Sequence, residues 1–462
     1  MNIEVYTLID YSLIFQGTAF TSKSSKEVTI LNDHIFCVNS DGMIEKIISP
    51  TNSDYESFVT AHQNNKNFHR LDEGQFLLPG FIDLHVHAPQ WAQTGTALDL
   101  PLYDWLNTYT FPIEAKFSDI QFAKEVYEQV VNQLLANGTT TALYFATVHK
   151  EASILLAQIC ADKGQRGLVG KVVMDDTSQN PAFYRDQNTA SALTDTEDFI
   201  IAVKELAKNV KQGVYPVVTP RFIPSCTDEA LKGLGELAAK YDTHIQSHCS
   251  ESDWAHGYVK ERFGKNDAFA LHDFGLLQDK SVMAHCNFLE ENDQDLFKET
   301  GTAIAHCPIS NAYFANSALP LKNFSEKGIE IGLGSDISGG FSPSLYDNIR
   351  QSVITSRMLE DGVDPSLPSQ ERGLENSRIT INEAFYFATA GGGESLSLPI
   401  GKIQENYTWD VQIVDTKHTT IPLPIFNGDE LIDIFQKIMY LTRPEHIREV
   451  WVQGEKVHSK QK

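Results

Sequence analysis

Cysteine is scarce. The six residues Cys37, Cys160, Cys226, Cys249, Cys286 and Cys307 are spread over 462 positions, and no CxxC pair occurs. That excludes a disulfide-built scaffold and the paired-cysteine zinc modules, and it points to a reducing, cytoplasmic compartment. Positive charge is also short, with 37 Lys and Arg against 61 Asp and Glu, for a net charge of −24. No run of basic residues forms the stripe a polyanion needs, so nucleic acid is excluded as a partner. There is no stretch of about eighteen consecutive apolar residues, which excludes a helical membrane span. The opening Met1-Asn2-Ile3-Glu4 has no basic start, and Asp10 breaks the apolar stretch that follows, unlike a signal peptide. No internal repeat or low-complexity tract is visible. What is present is 42% hydrophobic, 10% aromatic and 21% charged, the profile of a globular protein.

Both ends of the chain read as strands. Ile35 to Val38 and Met43 to Ile47 flank Asn39-Ser40-Asp41-Gly42, an apolar alternation around an Asp-Gly turn. Trp409 to Val414 alternates as well, and Glu449 to Val452 followed by Gln453-Gly454-Glu455 reads as a second hairpin. Between them the pattern changes to short apolar strands alternating with helical stretches. The strands expected are Phe81–Leu84, Thr140–Phe145, Leu168–Met174, Tyr215–Pro220, Thr243–Gln246, Ser281–His285, Thr302–Ala305 and Ile329–Leu333. Helical spacing is clearest in Ser118–Asn137, Thr196–Val210 and Thr227–Tyr241, the last with Thr227 as N-cap. Eight strands with helices between them predict an α/β fold, a (β/α)8 TIM-type barrel over residues 76–400. Residues 1–75 and 401–462 would form the two parts of a small β domain. Two long connections, Ala88 to Phe117 and the Gly- and Ser-rich Ser335 to Arg350, follow strands, where such barrels build their sites.

The chemistry-bearing residues fall at strand ends. His85 and His87 follow Phe81–Leu84, and i, i+2 spacing in a strand projects both imidazoles the same way. His248, His285 and Asp336 close three other expected strands far away in sequence, so only a barrel rim gathers all five. Three imidazoles and one carboxylate suit zinc, or less commonly ferrous iron. Such an ion lowers the pKa of bound water towards ~7, and the hydroxide it supplies needs a proton shuttle. Glu251, three residues beyond His248, is placed for that role.

The residues around this set are similar to those of the amidohydrolase superfamily and, within it, of guanine deaminases. Leu78-Pro79-Gly80-Phe81-Ile82-Asp83-Leu84-His85-Val86-His87 and Val452-Gln453-Gly454-Glu455-Lys456-Val457 carry the broad resemblance. The narrower one rests on His87-Ala88-Pro89-Gln90, Leu102 to Leu106, Tyr109-Thr110-Phe111-Pro112-Ile113-Glu114 and Asn137 to Ala142. It continues in Thr219-Pro220-Arg221-Phe222, Ser247 to Glu251, His306-Cys307-Pro308 with Ser310-Asn311, and Gly334 to Gly340.

The resemblance implies one zinc per chain held by His85, His87, His248 and Asp336, with His285 positioning water and Glu251 and Asp336 handling protons. It implies free guanine and water as substrates and a homodimer as the assembly. Arg221 stands where two-metal relatives carry a carbamylated lysine, which favours a single ion. Arg221 also suits the purine O6 as a fixed donor, and Gln90 offers both donor and acceptor to a heterocycle edge. Trp91, Phe111 and Phe222 are candidates for flat walls. Gly391-Gly392-Gly393 follows a helical stretch, so a helix-end turn is expected there, not a phosphate loop. His149-Lys150-Glu151 matches the HxE of the small zinc deaminases, but no PCxxC follows it, which excludes that class. Two rivals stand beside guanine deamination. One is a related hydrolase acting on another ring (cytosine, 8-oxoguanine or a triazine), and the other is a barrel that serves only as an assembly scaffold.

Overall fold

The computed structural model describes residues 11–418 and 420–460, so the reading of Met1 to Asp10 as no signal peptide lies outside the described residues. No helix among the described residues is long and apolar enough to cross a membrane. Among the described residues, sixteen strands divide between two sheets. The first holds β1 (Leu13–Ser24), β2 (Glu27–Val38), β3 (Ile44–Ile48), β4 (Phe68–Arg70) and β5 (Gln75–Pro79) from one end of the chain. The second is built from β6 (Phe81–His87), β7 (Thr139–Phe145), β8 (Arg166–Val173), β9 (Val214–Pro220), β10 (His244–Cys249), β11 (Ser281–His285), β12 (Ala303–His306) and β13 (Ile331–Leu333). From the other end, β14 (Val411–Asp415), β15 (Ile447–Val452) and β16 (Glu455–Ser459) complete the first sheet.

In the first sheet the order is β16-β15-β14-β5-β1-β2-β3, so both termini build one layer, and β5 pairs antiparallel with β14. The two expected hairpins form, β2 with β3 across Asn39 to Met43 and β15 with β16 across Gln453-Gly454. Apolar residues on one face close a core around Phe15, Phe36, Trp409 and Trp451. Gly80 passes the chain from β5 to β6. A Cβ there would fall 2.1 Å from the Thr140 side chain, so only glycine lets the layers approach so closely.

The second sheet runs β6 to β13 in chain order, with parallel pairing at each neighbouring pair. It curls until its edges meet at a bridge between Val86 and Ile337. This is the (β/α)8 barrel with a small β layer from both termini. Inside it, Ile82, Leu84, Leu143, Leu168, Val217, Val282, Ala284, Ala303 and Ala305 fill the lower lumen. Outside, Ala142, Val169, Val218, Ile245, Met283, Ile304, Ile331 and Leu333 face the helical layer. Thr227 caps its helix as expected, its hydroxyl accepting from the Ala230 N–H at 3.2 Å.

Several boundaries differ from the sequence reading. The helix expected at Thr196–Val210 is Thr189–Ala207, because Asn188 and Ser191 form a capping box that starts it earlier. The connection after β6 is not mostly loop: Ala88–Gln93 is a 3-10 turn, and short helical turns run from Leu102 to Ser118. The Gly- and Ser-rich connection ends at Ser344, since Leu345–Asp361 is helical. Gly391 to Gly393 lie inside the short helix Ala390–Ser395, not in a turn after one. A Cβ at Gly392 would fall 2.9 Å from Ile82, so the glycines let this helix pack on β6.

His306 ends β12 fully buried, and neither ring nitrogen finds a partner among the described residues. Burial keeps the imidazole neutral, pushing its pKa from 6.5 down to about 3. The unfolded chain therefore takes up a proton that the fold refuses, and stability falls as pH drops from 6.5 towards 3. Between pH 7 and pH 5 this group is expected to remove about 2 kcal/mol, read by urea unfolding. His306→Asn should lose that part of the slope, and equal slopes in the two proteins would refute the assignment.

Candidate active site

The barrel strands aim their last residues at one point, but not by simple alternation. Ile82 and Leu84 of β6 face the lumen, so strict period two would turn His85 and His87 outward. Pairing with β7 shifts by one residue between Asp83 and Val86, a bulge that brings both imidazoles inward. His248 needs no such device, since regular pairing carries β10 in parallel with β9 and β11. His285 and Asp336 have positive φ angles of 71° and 50°, a conformation non-glycine residues seldom adopt and one that re-aims both side chains. Closure of the barrel sets Asp336 beside the pair: its N–H donates to the His85 carbonyl at 2.8 Å, and the His87 N–H donates to Ile337 at 2.9 Å. At Gly334 a Cβ would lie 2.7 Å from that of His85, so this approach requires glycine.

The resulting cluster is tight and buried. His87 Nε2 and His248 Nε2 are 3.0 Å apart, and Asp336 Oδ1 lies 3.3 Å from His85 Nε2 and 3.6 Å from His87 Nε2. An ion with tetrahedral bonds of about 2.0–2.1 Å would set its ligand atoms about 3.3–3.4 Å apart, so these spacings fit one. Burial pushes His85, His87 and His248 well below the ordinary imidazole range, leaving them neutral and able to donate a lone pair. His248 Nδ1 donates to the Arg221 carbonyl at 2.5 Å, which turns its Nε2 lone pair into the cluster. His85 Nε2 and His285 Nε2 have no hydrogen-bond partner among the described residues. Cys307 also lies within reach, its sulfur within 4.8 Å of ligand atoms of His85 and Asp336. Burial pushes its thiol well above the ordinary range, and a thiol is a poor ligand beside a carboxylate.

His285 stands at the edge of the cluster, its Nδ1 2.9 Å from Asn311 Oδ1 and its Nε2 3.6 Å from Glu251 Oε1 and 4.0 Å from Asp336 Oδ2. Glu251 is buried, and desolvation, reinforced by Asp336 and opposed by Arg221, pushes its carboxyl up to about 8. Its backbone is clamped. Asn287 Nδ2 donates to the Glu251 carbonyl at 2.9 Å, and the Ser250 N–H donates to Asp267 Oδ1 at 2.9 Å.

Beside the cluster lies a cleft. His87, His248, Glu251 and Asp336 line one side, Gln90 and Arg221 another, and Leu102, Trp105, Leu106, Phe222 and Phe314 supply apolar walls. Of the aromatic residues expected as walls, Phe222 lines the cleft but Trp91 and Phe111 do not. Phe111 lies behind Arg221, its ring 5.1 Å from the guanidinium carbon, and Trp91 packs against the main hydrophobic core. Trp105 and Phe314 take the wall positions instead, with ring centres 5.2 Å apart. Sequence reasoning also gave no role to Glu114, which is completely buried and binds Arg221 through both carboxylate oxygens, at 2.6 and 3.2 Å. Its only sequence signal was its place in Tyr109 to Glu114.

A family model described as the Amidohydrolase family matches residues 76–457. The chain belongs to that family. Among its relatives, a guanine deaminase from Dictyostelium discoideum is 38% identical over 457 residues, covering 96% of this chain and 98% of the relative. The guanine deaminase of Homo sapiens is 36% identical over 454 residues, covering 96% of each chain. A crystal structure of guanine deaminase from C. acetobutylicum, with bound guanine in the active site, superposes with a TM-score of 0.85 at 31% identity, covering 96% of this chain and all of that one. Amidohydrolases are metal-dependent, and the His and Asp donors gathered here fit a metal ion.

Proposed function

We propose that this amidohydrolase is a guanine deaminase, converting guanine and water to xanthine and ammonia in purine catabolism. The observation that carries the reading is the sharing of one cleft by the His and Asp cluster, Glu251, and the Arg221 and Gln90 side chains. Near-full-length similarity to guanine deaminases supports it. His85, His87, His248 and Asp336 would hold one ion. Neutral imidazoles and a carboxylate at tetrahedral spacing favour zinc, with ferrous iron the less common match. When bound, such an ion brings the pKa of water towards ~7.

The protein's own groups then divide the work. Arg221 donates to the purine O6 and holds the ring with C2 towards the cluster. His285, its Nδ1 on Asn311, presents Nε2 to the attacking water. Glu251 takes the proton this water gives up and delivers it to ring N3 as the oxygen adds to C2. Asp336 accepts the remaining hydroxyl proton, and that one proton passes by way of Asp336 and Glu251 to the amino nitrogen. The C2–N bond breaks, ammonia leaves, and the added oxygen becomes the C2 carbonyl of xanthine. Phe222, Trp105 and Phe314 would flank the ring.

Ammonia release from guanine, 8-oxoguanine, cytosine and a triazine tests this, with guanine expected to give the highest kcat/KM. A preference for the pyrimidine would overturn it. We infer a homodimer as the assembly. Ile354 and Met358 are one turn apart on the helix Leu345–Asp361 and half exposed, with Val363 beyond its end, and this apolar face supports a second copy as its cover. The six cysteines, all free and buried, support a cytoplasmic location.

A further inference from the structure

Glu114 touches no part of the cleft, yet it holds both polar groups that read a heterocycle edge. Its Oε1 accepts from Gln90 Nε2 at 3.1 Å, and its two oxygens accept from Arg221 Nη1 at 2.6 Å and Nη2 at 3.2 Å. All three side chains are buried, Glu114 completely. Burial works against the Arg221 charge, and Glu114, with smaller contributions from Tyr184 and Glu251, more than offsets it, holding the guanidinium above its ordinary value. A carboxylate has acceptors only. Whatever meets it must be a donor, so the Gln90 amide has to turn its NH2 towards Glu114. That leaves Gln90 Oε1 without a partner among the described residues, on a side chain that lines the cleft. The amide is thereby converted from a group that reads either polarity into an acceptor, while Arg221 remains a donor.

We propose that Glu114 is a positioning residue that sets this donor and acceptor pattern, so that the cleft selects a ring edge with N–H beside C=O. Guanine carries that edge at N1–H and C6=O. A purine with an amino group at C6 carries the reverse, a ring acceptor at N1 beside a donor. This rests on the guanine-deaminase reading above and explains how the same site would refuse 6-aminopurines. A buried polar group facing the wrong partner is left unpaired, which is why such sites discriminate strongly.

The test uses the metal-loaded full chain and two ligands, guanine by KM and kcat and 2,6-diaminopurine by its competitive Ki. Wild-type turnover of guanine is measured first, since its absence would sink the deaminase reading, not this inference. In Glu114→Gln the neutral amide no longer forces Gln90 to one orientation. The ratio of 2,6-diaminopurine Ki to guanine KM is expected to fall about tenfold or more, mostly through guanine KM, with kcat within a few-fold. A residue with only a structural role would weaken both ligands alike and leave the ratio unchanged, and that result overturns the proposal. Glu114→Asp keeps an acceptor-only group and should hold the ratio within about threefold of wild type, even if both ligands bind less well. Collapse of the ratio in Glu114→Asp also overturns it. If Glu114→Gln does not accumulate in folded form, Gln90→Leu carries the test, because removing the amide must lower the ratio by the same factor. An unchanged ratio there refutes the pattern.

Discussion

Glu251→Gln should leave a folded, metal-loaded protein that binds guanine and barely turns it over, with kcat lower by about 10⁴-fold. The size follows from the number of transfers asked of one carboxylate. In the proposed sequence it takes a proton from water, gives it to N3, and takes part again as ammonia leaves. Each positioned transfer is worth roughly 10²–10⁴-fold, and an amide performs none of them. Burial, with Asp336 adding to it, pushes the Glu251 carboxyl up to about 8, so this group holds a proton at neutral pH more readily than an exposed carboxylate. A cation in the adjacent cluster draws that value back down, which suits a group that must both accept and release. Glutamine fills the same volume, and the clamp on this loop acts through the backbone of Glu251 and Ser250, so the loop should stay in place. Metal content by elemental analysis and guanine affinity by equilibrium binding should therefore match wild type. Near-normal ammonia release from Glu251→Gln would remove Glu251 from the mechanism.

The barrel was legible because its strands announce themselves one at a time. Each of the eight expected segments overlaps a strand of the barrel, since short apolar runs bounded by helical stretches have few other solutions. The site was legible for a related reason: polar residues at the ends of apolar strands are conspicuous, and the five expected groups do meet. The way they meet was not legible. The bulge in β6 that turns His85 and His87 inward leaves no mark in sequence, because it depends on pairing with β7. The same holds for the positive φ of His285 and Asp336, imposed by the chain around them. Glu114 was missed because a carboxylate on a connecting segment reads as solvated until Arg221, remote in sequence, is seen against it. Phe111 was misplaced by the same blindness, since its ring packs against the guanidinium and does not line the cleft. Side chains facing along strands can be inferred from period two, but pairings across loops cannot.

His87→Ala should abolish activity by a different route, through loss of the ion. Structural zinc sites gain about 10–16 kcal/mol from four ligands, so one ligand is worth about 3 kcal/mol, or roughly a hundredfold in affinity. His87 is well placed to cost at least that much. Its Nε2 is 3.0 Å from His248 Nε2 and 3.6 Å from Asp336 Oδ1, so it shares two edges of the proposed coordination polyhedron. Removing it opens space that water fills without supplying an imidazole. Arg221 and Gln90, held by Glu114, lie on another wall, so the heterocycle edge is still read. The expected result is a protein that loses metal on dialysis at chelator concentrations wild type withstands. Ammonia release should fall in step with metal content and recover in part when zinc is added in excess. Apo wild type, stripped by a stronger chelator, should behave in the same way and regain full activity with stoichiometric zinc. Should His87→Ala keep a full complement of metal through dialysis and still release ammonia at a normal rate, His87 is not a ligand, and the ion must sit among His85, His248, His285 and Asp336 instead.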